Sequence, residues 1–72
     1  MNGFMRNKLE TMIALLDAID IYRKRIEMLR ESINGYGAYF PSIVERMQHE
    51  KEIYRRVILR LQSRINKIKY EL

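Results

Sequence analysis

With 72 residues, a formal net charge of +5 and no cysteine, the chain is expected to form one domain spanning residues 1–72, whose single core supplies only about 3–5 kcal/mol. Neither disulfides nor thiolate zinc sites are available to supplement that core, and the one histidine cannot form a histidine cluster, which leaves self-association. No uncharged apolar run approaches the roughly 18 residues of a membrane span, so integral membrane insertion is not expected.

The N-terminal stretch pairs Arg6 and Lys8 with apolar residues, but Glu10, Asp17 and Asp20 interrupt it too early for a signal peptide. Together with the absence of cysteine, this leads us to expect a soluble, cytoplasmic protein.

The first helix is predicted over about residues 4–33. Its start falls between Gly3 and Asn7: Asn7 with Glu10 three residues on matches a capping box, and Asn2 offers an earlier cap. Leu9, Met12, Leu16, Ile19, Ile26, Leu29 and Ile33 recur at helical spacing and are expected to point inward. Asp20 with Lys24 and Arg23 with Glu27, each four residues apart, belong on a solvated side. The middle of this helix is more apolar than one packing partner requires. Ala14, Ala18, Ile21 and Met28 fall nearly opposite the main stripe, with Leu15 and Tyr22 on a flank, so a second contact surface is expected there.

Asn34-Gly35 reads as a helix stop with a left-handed glycine cap. The loop predicted over residues 34–42 contains Tyr36, Tyr39 and Phe40, either as a plug for the end of the bundle, the favoured reading, or as a recognition tip. Pro41 disfavours helix at Phe40, and Ser42 with Glu45 forms an S-x-x-E capping box that restarts the chain. So short a connection implies an antiparallel hairpin.

The second helix, over about residues 43–70, carries the clearest pattern. Alternate steps of three and four give Val44, Met47, Lys51, Tyr54, Ile58, Leu61, Ile65, Ile68 and Leu72, eight of nine apolar or aromatic. That alternation is the seam of a coiled-coil helix about 40 Å long. Lys51 breaks it: its stem is expected to lie on the apolar surface with the amine in water, or the residue sets register at a cost in stability. The charge excess sits here too. Residues 51–72 hold seven bases against Glu52 and Glu71, while residues 1–50 balance seven against seven. Arg56, Arg60 and Lys67 fall on the outermost face, and Arg55, Arg64 and Lys69 flank the seam, a ridge suited to phosphate contacts.

No catalytic constellation appears. Ser32, Ser42, Ser63 and Thr11 have no histidine at dyad spacing, Gly35-Tyr36-Gly37 opens no phosphate loop, and no cofactor is implied. His49, with Glu45 and Glu52 on one helical face, reads as a solvated histidine rather than a metal ligand.

The expected fold is all-α: an antiparallel two-helix hairpin, coiled-coil-like, that homodimerises into a four-helix bundle. The expected function is a small non-catalytic interaction or regulatory protein, an adaptor, inhibitor or assembly factor. Its protein partner would meet Ala14, Ala18, Ile21, Tyr22 and Met28, or the loop residues Tyr36, Tyr39 and Phe40. The alternative is nucleic-acid binding through Arg55, Arg56, Arg60, Arg64, Lys67 and Lys69. The architecture resembles that of Rop-type hairpin dimers, a resemblance of fold alone with no shared motif, and it implies that RNA binding is possible on such a scaffold.

Overall fold

The computed structural model describes residues 3–37 and 39–72. Two helices, α1 (Gly3–Tyr36) and α2 (Pro41–Glu71), pack against each other. Lys8 near the start of α1 meets Glu71 at the end of α2, and Tyr22 meets Tyr54, so the pair is antiparallel. The hairpin measures 57 × 14 × 11 Å, with a radius of gyration of 16.6 Å. A compact chain of this length has a radius near 11 Å.

Stepping by three and four describes α2 well. Val44, Met47, Lys51, Tyr54, Ile58, Leu61, Ile65 and Ile68 are all buried or half-buried, and only the terminal Leu72 is exposed. On α1 the seam has a different phase from the expected one. Leu15, placed on a flank by sequence, is 7% exposed, and Leu16 of the expected stripe is 52% exposed. The stepping that α1 obeys is Lys8, Met12, Leu15, Ile19, Tyr22, Ile26, Leu29 and Ile33, each buried or half-buried. Leu15, Ile19, Ile58 and Ile65 form the core, with Met12, Tyr22, Ile26, Leu61 and Ile68 against them. It is thin: among the described residues no side chain falls below 2% exposure.

The turn differs from the sequence reading at both edges. Asn34 and Gly35 remain helical, and no described residue has a positive φ. Gly37 donates its N–H to the Ile33 carbonyl at 2.8 Å, and the Tyr36 carbonyl accepts from both Tyr39 and Phe40 at 3.0 Å. Those bonds give the Ile33 and Tyr36 carbonyls partners with no left-handed residue among the described ones.

At the start of α2, Phe40 is the N-cap residue, with φ −136° and ψ 72°, and no side chain caps the helix. Pro41 takes the first helical position, where its fixed φ suits the helix and its missing N–H is no loss. The start therefore precedes Ser42, and the Ser42–Glu45 box does not form. Asn7 likewise lies inside α1, its carbonyl accepting from Thr11 Oγ1 at 2.9 Å, while Glu10 pairs with Arg6 at 3.2 Å. Asn2 as an earlier cap lies outside the described residues.

Lys51 occupies its seam position at 7% exposure. The register set by Tyr22 and Tyr54 puts it level with Ile26. It has no ion pair or hydrogen bond among the described residues, and no buried polar side-chain atom there lacks a partner. The stem thus fills the seam and the amine reaches water at its edge. No helix of the described residues is long and apolar enough to cross a membrane.

Candidate docking flank and basic patch

The seam leaves the hairpin with two long flanks. One is marked by a groove lined by Arg25, Met28, Leu29, Ser32, Glu50 and Tyr54; we call it the front. The other is marked by a groove that includes Leu16, Arg23, Gln62, Asn66 and Lys69.

Seven residues are close to two full helical turns, so such steps stay on one side. From Arg25 and Met28, backward steps reach Ala18, Ile21 and Ala14. On α2, steps from Glu50 reach Ile43 and Val57, and Ile53 lies three residues beyond Glu50. Ala14, Ala18, Ile21 and Met28 thus stand beside the seam rather than opposite it, because the seam runs through Leu15. Ile43, Ile53 and Val57 join them from α2. Ile21, Met28, Ile43 and Ile53 are exposed, and Ala18 and Val57 half-buried. The result is one apolar strip built from both helices.

The middle of the strip is flanked by an aromatic cluster in the seam. Tyr22, expected at an interface, turns into the seam: its ring lies 5.5 Å from that of Tyr54, tilted by 45°. The Arg25 guanidinium covers both rings, at 5.3 Å from Tyr22 and 5.9 Å from Tyr54. Tyr54 donates its hydroxyl to Glu50 Oε1 at 2.6 Å. That hydrogen bond to a carboxylate is the main cause of the phenol's being held above its ordinary value of 10.0, with desolvation adding to it. Beyond this cluster, Tyr36 and Phe40 meet edge to face at 6.1 Å. Together with Tyr39 they stay exposed on the single hairpin.

The six cations assigned to one ridge divide among three sides. Seven-residue steps from Val57 and Ile53 reach Arg64, Arg60 and then Lys67, so these three continue the front flank toward the open end. Lys69 lines the other flank, and Arg55, a seven-residue step before Gln62, belongs with it. Arg56 points away from the seam. Arg55 and Arg56 both pair with Glu52, at 3.7 and 3.8 Å. Arg60, Arg64, Lys67 and Lys69 have no carboxylate partner among the described residues.

Elsewhere the Asp20–Lys24 pair forms at 2.9 Å, and both the hydrogen bond and the charge of Asp20 raise the Lys24 ammonium above its ordinary range. Glu27 pairs with Arg30 at 3.6 Å instead of with Arg23. Lys8 reaches across the open end to Glu71 at 3.0 Å and sits 4.0 Å above the Phe4 ring. Sequence reasoning passed over this pair, although stepping the α1 seam back from Leu15 finds Lys8.

His49 is exposed, beside Glu45 and Glu50. Among the described residues no group of three histidine or carboxylate side chains is placed to hold a metal ion. Comparison with protein-family models, curated proteins and solved structures gives no match.

Proposed function

We propose that this chain is a non-catalytic interaction protein that acts as a homodimer, two hairpins closing front flank on front flank into a four-helix bundle. The surface area carries this reading. The hairpin exposes 5802 Å², whereas a compact monomer of its 8.8 kDa exposes about 4,800 Å². The excess, about 1,000 Å², is close to the roughly 800 Å² that each partner of a standard interface buries. The front strip supplies apolar side chains on both helices, and a helix that faces a bundle core carries just such a third apolar position beside its seam.

A bundle of this kind presents rigid helical surfaces, and the exposed rings of Tyr36, Tyr39 and Phe40 at its ends offer contact area to a further protein partner. The absence of cysteine suits a reducing compartment, in keeping with a cytoplasmic regulator or assembly factor.

Sedimentation equilibrium tests the reading. The unmodified chain is expected at twice its monomer mass at micromolar concentration. Ile21→Glu and Val57→Glu, each placing an unpaired carboxylate in the interface, are expected to weaken the dimer by two to three orders of magnitude. Wild-type mass retained in both variants sinks the front flank as the interface.

A further inference from the structure

We infer that the flank opposite the front docks, in its open half, an amphipathic helix of a partner protein that carries an acidic edge. The proposed dimer closes on the front and leaves this side free; the inference rests on that reading only for which flank is open. Leu16 on α1 and Gln62 and Asn66 on α2 wall the groove here, and the buried Ile19 and Ile65 floor it. Seven-residue steps add Leu9 from Leu16 and Leu59 from Asn66, and Ile13 stands three residues before Leu16. Ile13 is 59% exposed, Leu16 52% and Leu59 65%. Leu9, Ile13 and Leu16 follow one another at the four-and-three spacing of a seam, and the register set by Tyr22 and Tyr54 brings Leu59 level with Asp17, across from Leu16. The hairpin thus carries a second, short seam about 10 Å long, of the kind that takes the apolar face of a helix.

The charges around this seam select the partner. Arg23 and Lys69 line the groove, and neither has a carboxylate partner among the described residues. On the α2 margin Arg55 and Arg56 share Glu52, so with Lys69 three bases stand against one acid. On the α1 margin Asp20 is engaged by Lys24, and Asp17, which has no ion pair among the described residues, offsets Arg23, so that margin is neutral. An acidic edge laid along α2 therefore meets uncompensated cations. Lys69 comes level with Asn7, about 24 Å along the axis from Arg23, the length of a sixteen-residue helix at 1.5 Å per residue. A second copy of this chain suits the strip less well. Residues 51–72 hold seven bases against Glu52 and Glu71, and stacking two open halves sets those segments side by side. A phosphate backbone offers nothing apolar to cover Ile13, Leu16 and Leu59.

The test is fluorescence anisotropy of a labelled 21-residue peptide titrated with the full chain. The peptide has three heptads, with leucine at the two seam positions and glutamate at the flanking ones; its twin has lysine in place of every glutamate. The glutamate peptide is expected to bind roughly 10-fold more tightly than its twin, a preference that shrinks as salt rises. Leu16→Glu, which sets a carboxylate in the short seam, is expected to weaken its binding roughly 10-fold or more. Lys69→Glu is expected to weaken the glutamate peptide roughly 2- to 10-fold and to strengthen the lysine twin. Circular dichroism confirms that each variant remains helical. Ile21→Glu, on the front, is expected to leave peptide binding unchanged, and Leu16→Glu to leave the dimer mass unchanged, so the two proposals fail independently. No binding of the glutamate peptide at about 100 μM chain overturns the inference, as does equal affinity for the twins. So do loss of binding in Ile21→Glu but not in Leu16→Glu, and association beyond the dimer, without peptide, that Leu16→Glu abolishes, which would put a second copy on the strip.

Discussion

Lys51 is the one buried charged side chain among the described residues, and replacing it with methionine tests how the hairpin is held together. The lysine stem already fills its place level with Ile26, so Lys51→Met keeps the volume and removes only the ammonium that must stay hydrated at the seam edge. Fully burying an apolar side chain stabilises by about 1.5–3 kcal/mol, and part of that gain is already made by the stem. The net change is about 1–2 kcal/mol, which in a chain of this size raises Tm by roughly 4–16 °C. The assay is a thermal melt followed by circular dichroism at fixed protein concentration, since dimerisation makes Tm depend on concentration. Sedimentation runs alongside it, because a polar seam residue can select an assembly state. An unchanged or lower Tm refutes the reasoning, since the amine would then contribute more than its hydration costs.

The turn makes opposite demands on its two glycines. Gly35 is helical with open space around it, so Gly35→Ala is expected to raise stability by about 0.5–1 kcal/mol. A Cβ on Gly37 would lie 2.8 Å from the Ile33 carbonyl oxygen, so Gly37→Ala is expected to lower it. The reverse order in chemical denaturation contradicts the turn described here. Of the five tyrosines, Tyr54 is expected to ionise above the ordinary 10.0, because its proton is held by Glu50. A folded value raised above the unfolded one contributes stability that is present below pH 10 and is lost as pH rises through the folded value. An alkaline ultraviolet titration should show a late component that Tyr54→Phe removes; its persistence in the variant refutes the Tyr54–Glu50 bond.

How much of this was legible depended on how many apolar phases each helix offers. On α2 only one stepping collects apolar residues, and its seam could be read directly. On α1, Leu15 and Leu16 are adjacent, and Ile13, Ile21 and Met28 add apolar character on other sides, so hydrophobicity alone does not choose the phase. The deciding residues are Tyr22 and Lys8, which keep the three-four alternation intact but do not count as plainly apolar. Asn34-Gly35 and Ser42–Glu45 are genuine local signals that the bonds onto Ile33 and Tyr36 and the placement of Pro41 override. The front flank was half visible. Its α1 residues stood out, whereas Ile43, Ile53 and Val57 are scattered among charged neighbours and join the strip only when the antiparallel register brings both helices to one side. The basic ridge lost Arg55 and Lys69 to the other flank, because positions on either side of a seam are close in sequence and far apart around the helix.

Dimerisation is the central claim, and the mass in solution tests it most directly. Sedimentation equilibrium is the suitable method, since a 57 Å rod elutes anomalously by size exclusion. The expected result is a single species at twice the 8.8 kDa chain mass, dissociating on dilution with loss of helicity. A stable monomer of 8.8 kDa that melts cooperatively at a concentration-independent Tm contradicts it.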